Sequence, residues 1–256
     1  MTVNDIWKLI DRRAPFDTQA DFDNSGLLCG DPAATVHTIL FALDVTDTVL
    51  DEAETLGADL LITHHPLMFS PIQRITEDQY EAHLLRRMIR MGISLIAAHT
   101  NLDRASGGIN DILAILCGLS NICGEDFIRV GNLPVPVTAE ALAQQLSSVL
   151  HAPVRLMGDP DHICKILGLC SGGGSGEWEQ AYTLGADAFL SGEIKHHHAL
   201  EMTWHGMVCF ECGHYSTEEP GLFALADALQ KDEDIVKCNL VIHKSRVGSY
   251  HVPAQP

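Results

Sequence analysis

The chain has 256 residues, room for one large domain or two small ones, and its 46% apolar and 20% charged residues suit a packed globule rather than a disordered chain. A formal net charge of −18 argues against DNA, RNA and anionic membrane as partners, because phosphate binding relies on Lys and Arg clusters that this sequence lacks. Apolar runs such as 93–98 are far shorter than the ~20 residues that span a bilayer. The opening MTVNDIWKLIDRRAP carries no signal-peptide core.

Helix and strand signals alternate along the chain. Residues 46–56 (TDTVLDEAETL) predict a helix closed by Gly57, and ADLLIT after it reads as a short buried strand. Thr76 and Gln79 resemble a capping box that opens the helix EDQYEAHLLRRMIRM, which stops at Gly92 before the strand ISLIAA. A further helix is expected over 109–117. Short apolar strands separated by helices predict an α/β fold with mostly parallel sheets.

The eight cysteines are scattered, and most sit in apolar runs, so buried free thiols in a reducing cytoplasm are the expectation. Cys209 and Cys212 form a C-x-x-C, but in MVCFECG, which reads as a strand rather than the helix start a redox pair uses.

The two halves resemble each other. LGADLLITHH from residue 56 aligns with LGADAFLSGE from residue 184, an offset of 128. Around them, strand, turn and helix precede both segments, and GISLIAAHTNLD matches GMVCFECGHYSTE downstream. The reading is a duplicated α/β unit, with boundaries at 1–127 and 128–256, exchange of segments between the units left open, and a site at their seam.

Ligands of parallel α/β sheets gather beyond the carboxyl ends of strands, and the unusual polar residues fall there. His64 and His65 follow DLLIT, with Pro66 stopping the strand; neighbours on a strand diverge, so two such imidazoles suit two ions better than one. Asp103 and Glu218 occupy equivalent places in the two copies, each four residues after a histidine, His99 or His214. Imidazole with carboxylate suits Zn²⁺, Fe²⁺, Mn²⁺ or Co²⁺. Each signal alone has a plainer reading: a hydrogen-bonded His pair, a helix-start Asp at 103, or a helix-dipole Glu at 218. Glu193, at the place of His65 in the second copy, is a candidate general acid or base. His196, His197 and His198 read as a solvated helical face. The segment SGGGSG at 171–176 reads as a phosphate cradle, a flexible connection or a close backbone approach.

Taken together, DNSGLLCGD, ADLLITHHPL, AAHTNLDRASGGIND, VGNLPVPVTAEALAQQL, SGGGSGEW, GADAFLSGEIKHHHAL and GHYSTEEPG resemble the Nif-three-like dinuclear-metal-centre family, whose bacterial members are called GTP cyclohydrolase I type 2 homologues. The resemblance implies two divalent metal ions held by His64, His65, Asp103, His214 and Glu218, with Glu218 bridging, and a ring-shaped homohexamer. It implies a metal-dependent hydrolase acting on a nucleotide-like substrate. A protein that stores, senses or delivers metal is the competing reading. Divergence of the two histidines then pairs His65 with Asp103 on one ion and His64 with His214 on the other.

Overall fold

The computed structural model describes residues 1–248. In chain order its elements begin with α1 (Val3–Asp11), β1 (Gly26–Cys29), β2 (Thr38–Ala42), α2 (Asp47–Leu56), β3 (Leu60–Thr63), α3 (Tyr80–Met91), β4 (Ser94–Ala97) and α4 (Thr100–Arg104). There follow α5 (Ile109–Leu116), β5 (Ser120–Cys123), β6 (Arg129–Thr138), α6 (Ala139–Leu150), β7 (Arg155–Met157) and β8 (Ile163–Cys170). The rest are α7 (Trp178–Thr183), β9 (Ala188–Ser191), α8 (His196–Trp204), β10 (Val208–Glu211), α9 (His214–Gln230), α10 (Glu233–Lys237) and β11 (Val241–Lys244). The chain forms two compact units: Met1–Gly108 with Leu222–Gly248, and Ile109–Gly221. The divisions thus fall after Gly108 and within α9, where the sequence reading places one boundary at 127/128.

The first unit carries a five-stranded sheet in the order β1-β4-β3-β2-β11. Strands β2, β3, β4 and β11 run parallel, and β1 pairs antiparallel with β4. β3 and β4 are buried at every position, the continuous apolar pattern of strands covered on both faces. Thr46 caps α2 by accepting from the Val49 N–H, and Gly57 ends it at φ 63°, where a left-handed residue costs glycine little. The start of α3 differs from the expectation. It begins at Tyr80, its N-cap Gln79 makes no side-chain capping bond, and Glu77 instead accepts from His83 Nδ1 at 2.6 Å.

The second unit carries a six-stranded sheet in the order β5-β6-β8-β9-β10-β7. Here only β8, β9 and β10 are mutually parallel, while β5, β6 and β7 join antiparallel. The sheets are therefore mixed, which corrects the expectation of mostly parallel ones. The antiparallel part centres on β6, whose prolines Pro134 and Pro136 disguise it as a loop in the sequence. The β6–β8 register shifts between Asn132 and Val137, so the prolines fall in an irregular stretch where no ladder N–H is required.

The units share one local device. Asp59 accepts from the N–H groups of His37 and Thr38, and Asp187 from those of Lys165 and Ile166. In each unit this carboxylate, just before the second of the parallel strands, fixes the amino end of the first.

Candidate metal centre

In the first unit the candidate ligands stand past the carboxyl ends of β3 and β4. His64 is fully buried, and its Nδ1 donates to the Ala98 carbonyl at 2.9 Å, since a carbonyl can only accept. In the neutral ring this leaves the Nε2 lone pair facing away, and Nε2 lies 3.6 Å from Asp103 Oδ1. Asp103 is set on the short helix α4, which Asn101 anchors by donating to the Ala14 carbonyl at 2.8 Å. His65 Nδ1 meets Asp44 Oδ1 at 2.7 Å, so the carboxylate fixes this ring through Nδ1 as well. Carboxylate or carbonyl contact at one imidazole nitrogen is the usual way to hold the other ready for a metal.

The two imidazoles do not diverge as a regular strand would make them. β3 ends at Thr63, strand alternation ends with it, and the rings stay 5.0 Å apart between centroids. His99 joins them, and donor atoms of His64, His65 and His99 lie within 4.8 Å of one another. His99 Nδ1 meets Asp23 Oδ1 at 2.7 Å. Burial pushes the Asp23 carboxyl up. Hydrogen bonds from His99, Thr100 and Ser25, with the charge of His99, outweigh it and hold the group well below the usual carboxylate range.

In the second unit His214 and Glu218 lie one turn apart on the first turns of α9, so the four-residue spacing puts both on one helical face. His214 Nε2 is 3.2 Å from Glu218 Oε1, and its Nδ1 is 3.0 Å from Glu193 Oε1. Glu218 is buried, while the Glu193 side chain is 65% exposed and so reaches solvent as well as His214. The glycine run finds its role here. Gly172 sits at φ 54°, and a Cβ on it would lie 2.0 Å from Glu218 Oε1 and 3.1 Å from His214 Nε2. A Cβ on Gly192 would lie 2.8 Å from the His214 Cα. These two glycines let the backbone close against the His214–Glu218 pair, so 171–176 serves close approach.

Each unit thus joins an imidazole nitrogen to a carboxylate oxygen, a donor set that fits borderline divalent ions. The sequence reading left Asp44 and Asp23 without a role and named Gly172 only within the glycine run 171–176. Asp44 and Asp23 hold Nδ1 of His65 and of His99, and Gly172 makes room for Glu218. Both had a signal: Asp44 directly follows the apolar run TILFAL, and Asp23 opens the segment DNSGLLCGD. His196 and His197 are exposed, and among the described residues no group able to hold a metal includes them or His198. Cys209 and Cys212 are buried, and burial pushes the Cys209 thiol up to about 11 and that of Cys212 well above its ordinary value, unlike an activated redox pair. No helix among the described residues is long and apolar enough to cross a membrane.

Mixed sheets flanked by helices, with histidine–carboxylate clusters past the strand ends, define the chain as an α/β protein with candidate metal-binding sites. It belongs to the Duf34/NIF3 (NGG1p interacting factor 3) family, whose model matches residues 1–248. It is 32% identical over 247 residues to the GTP cyclohydrolase 1 type 2 homolog of Clostridium perfringens, covering 92% of this chain and 94% of that one. Among solved structures, the hypothetical protein SA1388 of Staphylococcus aureus superposes with a TM-score of 0.92 at 30% identity, covering 100% of this chain and 99% of that one. Reduced HcgD of Methanocaldococcus jannaschii superposes with a TM-score of 0.82 at 29% identity, covering 96% and 98%.

Proposed function

We propose that the chain is a dinuclear-metal protein, holding two divalent transition-metal ions through His64, His65, Asp103, His214 and Glu218, and that it is a hydrolase for a nucleotide-like substrate. The observation that carries this is the matched preparation of His64 and His214. Each ring is fixed through Nδ1, by Ala98 or Glu193, and turns Nε2 toward a carboxylate, Asp103 or Glu218. The hydrogen bonds of Asp59 and Asp187, at the same offset of 128, support reading the units as duplicates.

The 3.6 Å approach of His64 to Asp103 supports assigning these two to one ion. His65 and His214 would then serve the other, and Glu218, with two carboxylate oxygens, would be shared by both. A divalent ion so held supplies Lewis acidity and lowers the pKa of a bound water toward about 7. The protein's own residues supply orientation and charge. Two such ions less Asp103 and Glu218 leave about +2 locally, which offsets the acidic surround for a phosphate-bearing substrate. Glu193 positions His214, and its exposed carboxylate is the group nearest that ring to move a proton to or from substrate.

The relatives named GTP cyclohydrolase 1 type 2 homolog support testing a GTP-type ring opening first. The experiment is elemental analysis of the purified chain, then a formate-release screen over nucleotides with the metal found. Turnover supports the hydrolase. Absence of turnover, together with transfer of metal to an acceptor apoprotein, would establish the alternative of a storage, sensing or delivery protein. The family resemblance also supports a ring-shaped homohexamer, and light scattering that gave a monomer mass would contradict it.

A further inference from the structure

The second unit holds another donor group, at the other end of its sheet. We propose that His162, Cys164 and Asp187 form a mononuclear site for a borderline-soft divalent ion of the Zn²⁺ class. His162 and Cys164 flank the first residue of β8, and Asp187 immediately precedes β9, so the group sits at the amino ends of these parallel strands. Glu193 follows the carboxyl end of β9. The proposal therefore does not rest on the two-ion centre.

The donor atoms of His162, Cys164 and Asp187 lie within 4.8 Å of one another. A tetrahedral Zn²⁺ with ligands at ~2.0–2.3 Å holds its donors roughly 3.5 Å apart, so a small closure completes the contact. His162 Nε2 is buried and has no hydrogen-bond partner, and an unsatisfied buried nitrogen costs free energy that a metal bond would recover. The backbone around it is fixed, since His162 donates its N–H to Asp159 and accepts from Ala139. Asp187 is held by the N–H groups of Lys165 and Ile166 at 3.0–3.2 Å. Oδ1 accepts from both N–H groups and Oδ2 only from Lys165, so Oδ2 keeps lone-pair capacity for a further bond on a carboxylate already oriented.

The plain alternative is that Asp187 only fixes the amino end of β8. The first unit shows what that role needs. Its Asp59 does the same work, yet the residues at the offset of His162 and Cys164 are Ala34 and Val36. A buried apolar Val36 suffices there, whereas the second unit places a fully buried thiol and an unpartnered imidazole beside the carboxylate. Thiolate with imidazole and carboxylate selects Zn²⁺ or Co²⁺ over Mg²⁺ or Ca²⁺, and water completes the fourth position.

Co²⁺ reads this site separately, because none of the five ligands of the two-ion centre is a cysteine. The full chain, stripped with chelator, is titrated with Co²⁺ alone. A thiolate-to-cobalt charge-transfer band should appear and saturate with about one ion beyond those held elsewhere. It should be lost in Cys164→Ala and in His162→Ala. His162 is only partly buried, so His162→Ala keeps the test readable where loss of the core thiol compromises folding. Absence of the band in the folded chain, or its persistence in either folded variant, overturns the proposal.

Discussion

His64 Nε2 stands 3.6 Å from Asp103 Oδ1, whereas strand alternation suggests pairing Asp103 with His65. The strand β3 ends at Thr63, so the directions of His64 and His65 are set by what each ring bonds to: Ala98 for one, Asp44 for the other.

Asp103→Ala and His64→Ala should therefore empty the same position. Metal content should fall from about two ions per chain toward one in each variant and fall no further in the double variant. His214→Ala should empty the other position, and Glu218→Ala should lower the content toward zero. Elemental analysis after dialysis measures all five. Retention of two ions by Glu218→Ala would remove the bridging role.

Glu193 holds His214 through a carboxylate oxygen, which a glutamine amide oxygen can replace. Glu193→Gln should keep metal content near that of the parent and slow turnover, whereas Glu193→Ala should weaken metal binding by about 10–100-fold. Competition with a chromogenic chelator reads the affinities. Equal metal loss in both variants would place Glu193 among the direct ligands.

Gly172 packs directly against the His214–Glu218 pair. In Gly172→Ala the new methyl would meet Glu218 Oε1 at 2.0 Å, on a backbone at φ 54° that disfavours a side chain. The variant should lose at least about 1 kcal/mol of stability, together with metal content. Thermal melting with and without chelator separates the two losses.

Asp23 makes the first unit sensitive to acid. Its folded pKa is depressed below the unfolded value, so its contribution is present above about pH 4 and is lost as pH falls through the folded pKa. In chelator-treated protein, Asp23→Asn should flatten the stability curve below about pH 4 while lowering stability at neutral pH. Urea melts across that range would show it, and an unchanged acid limb would discount the Asp23 network.

The helix boundaries at Gly57 and Gly92, the buried strands β3 and β4, and the equivalence of Asp59 with Asp187 are local facts that apolar runs, terminal glycines and the 128-residue offset express directly. The His-x-x-x-carboxylate spacing likewise marked His214 with Glu218, because four residues make one helical turn. The antiparallel strands of the second sheet were not legible, since β6 carries prolines that its irregular register tolerates. Nor were the partners of Asp44, Asp23 and Gly172. Their roles are contacts to His65, His99 and Glu218 across 21, 76 and 46 residues of chain, and no local pattern encodes a partner that far away. The sequence by itself determined which residues bring imidazole and carboxylate to the strand ends. The tertiary structure decided which nitrogen of each ring is held and by what, because that depends on the carbonyl or carboxylate that folding sets against it.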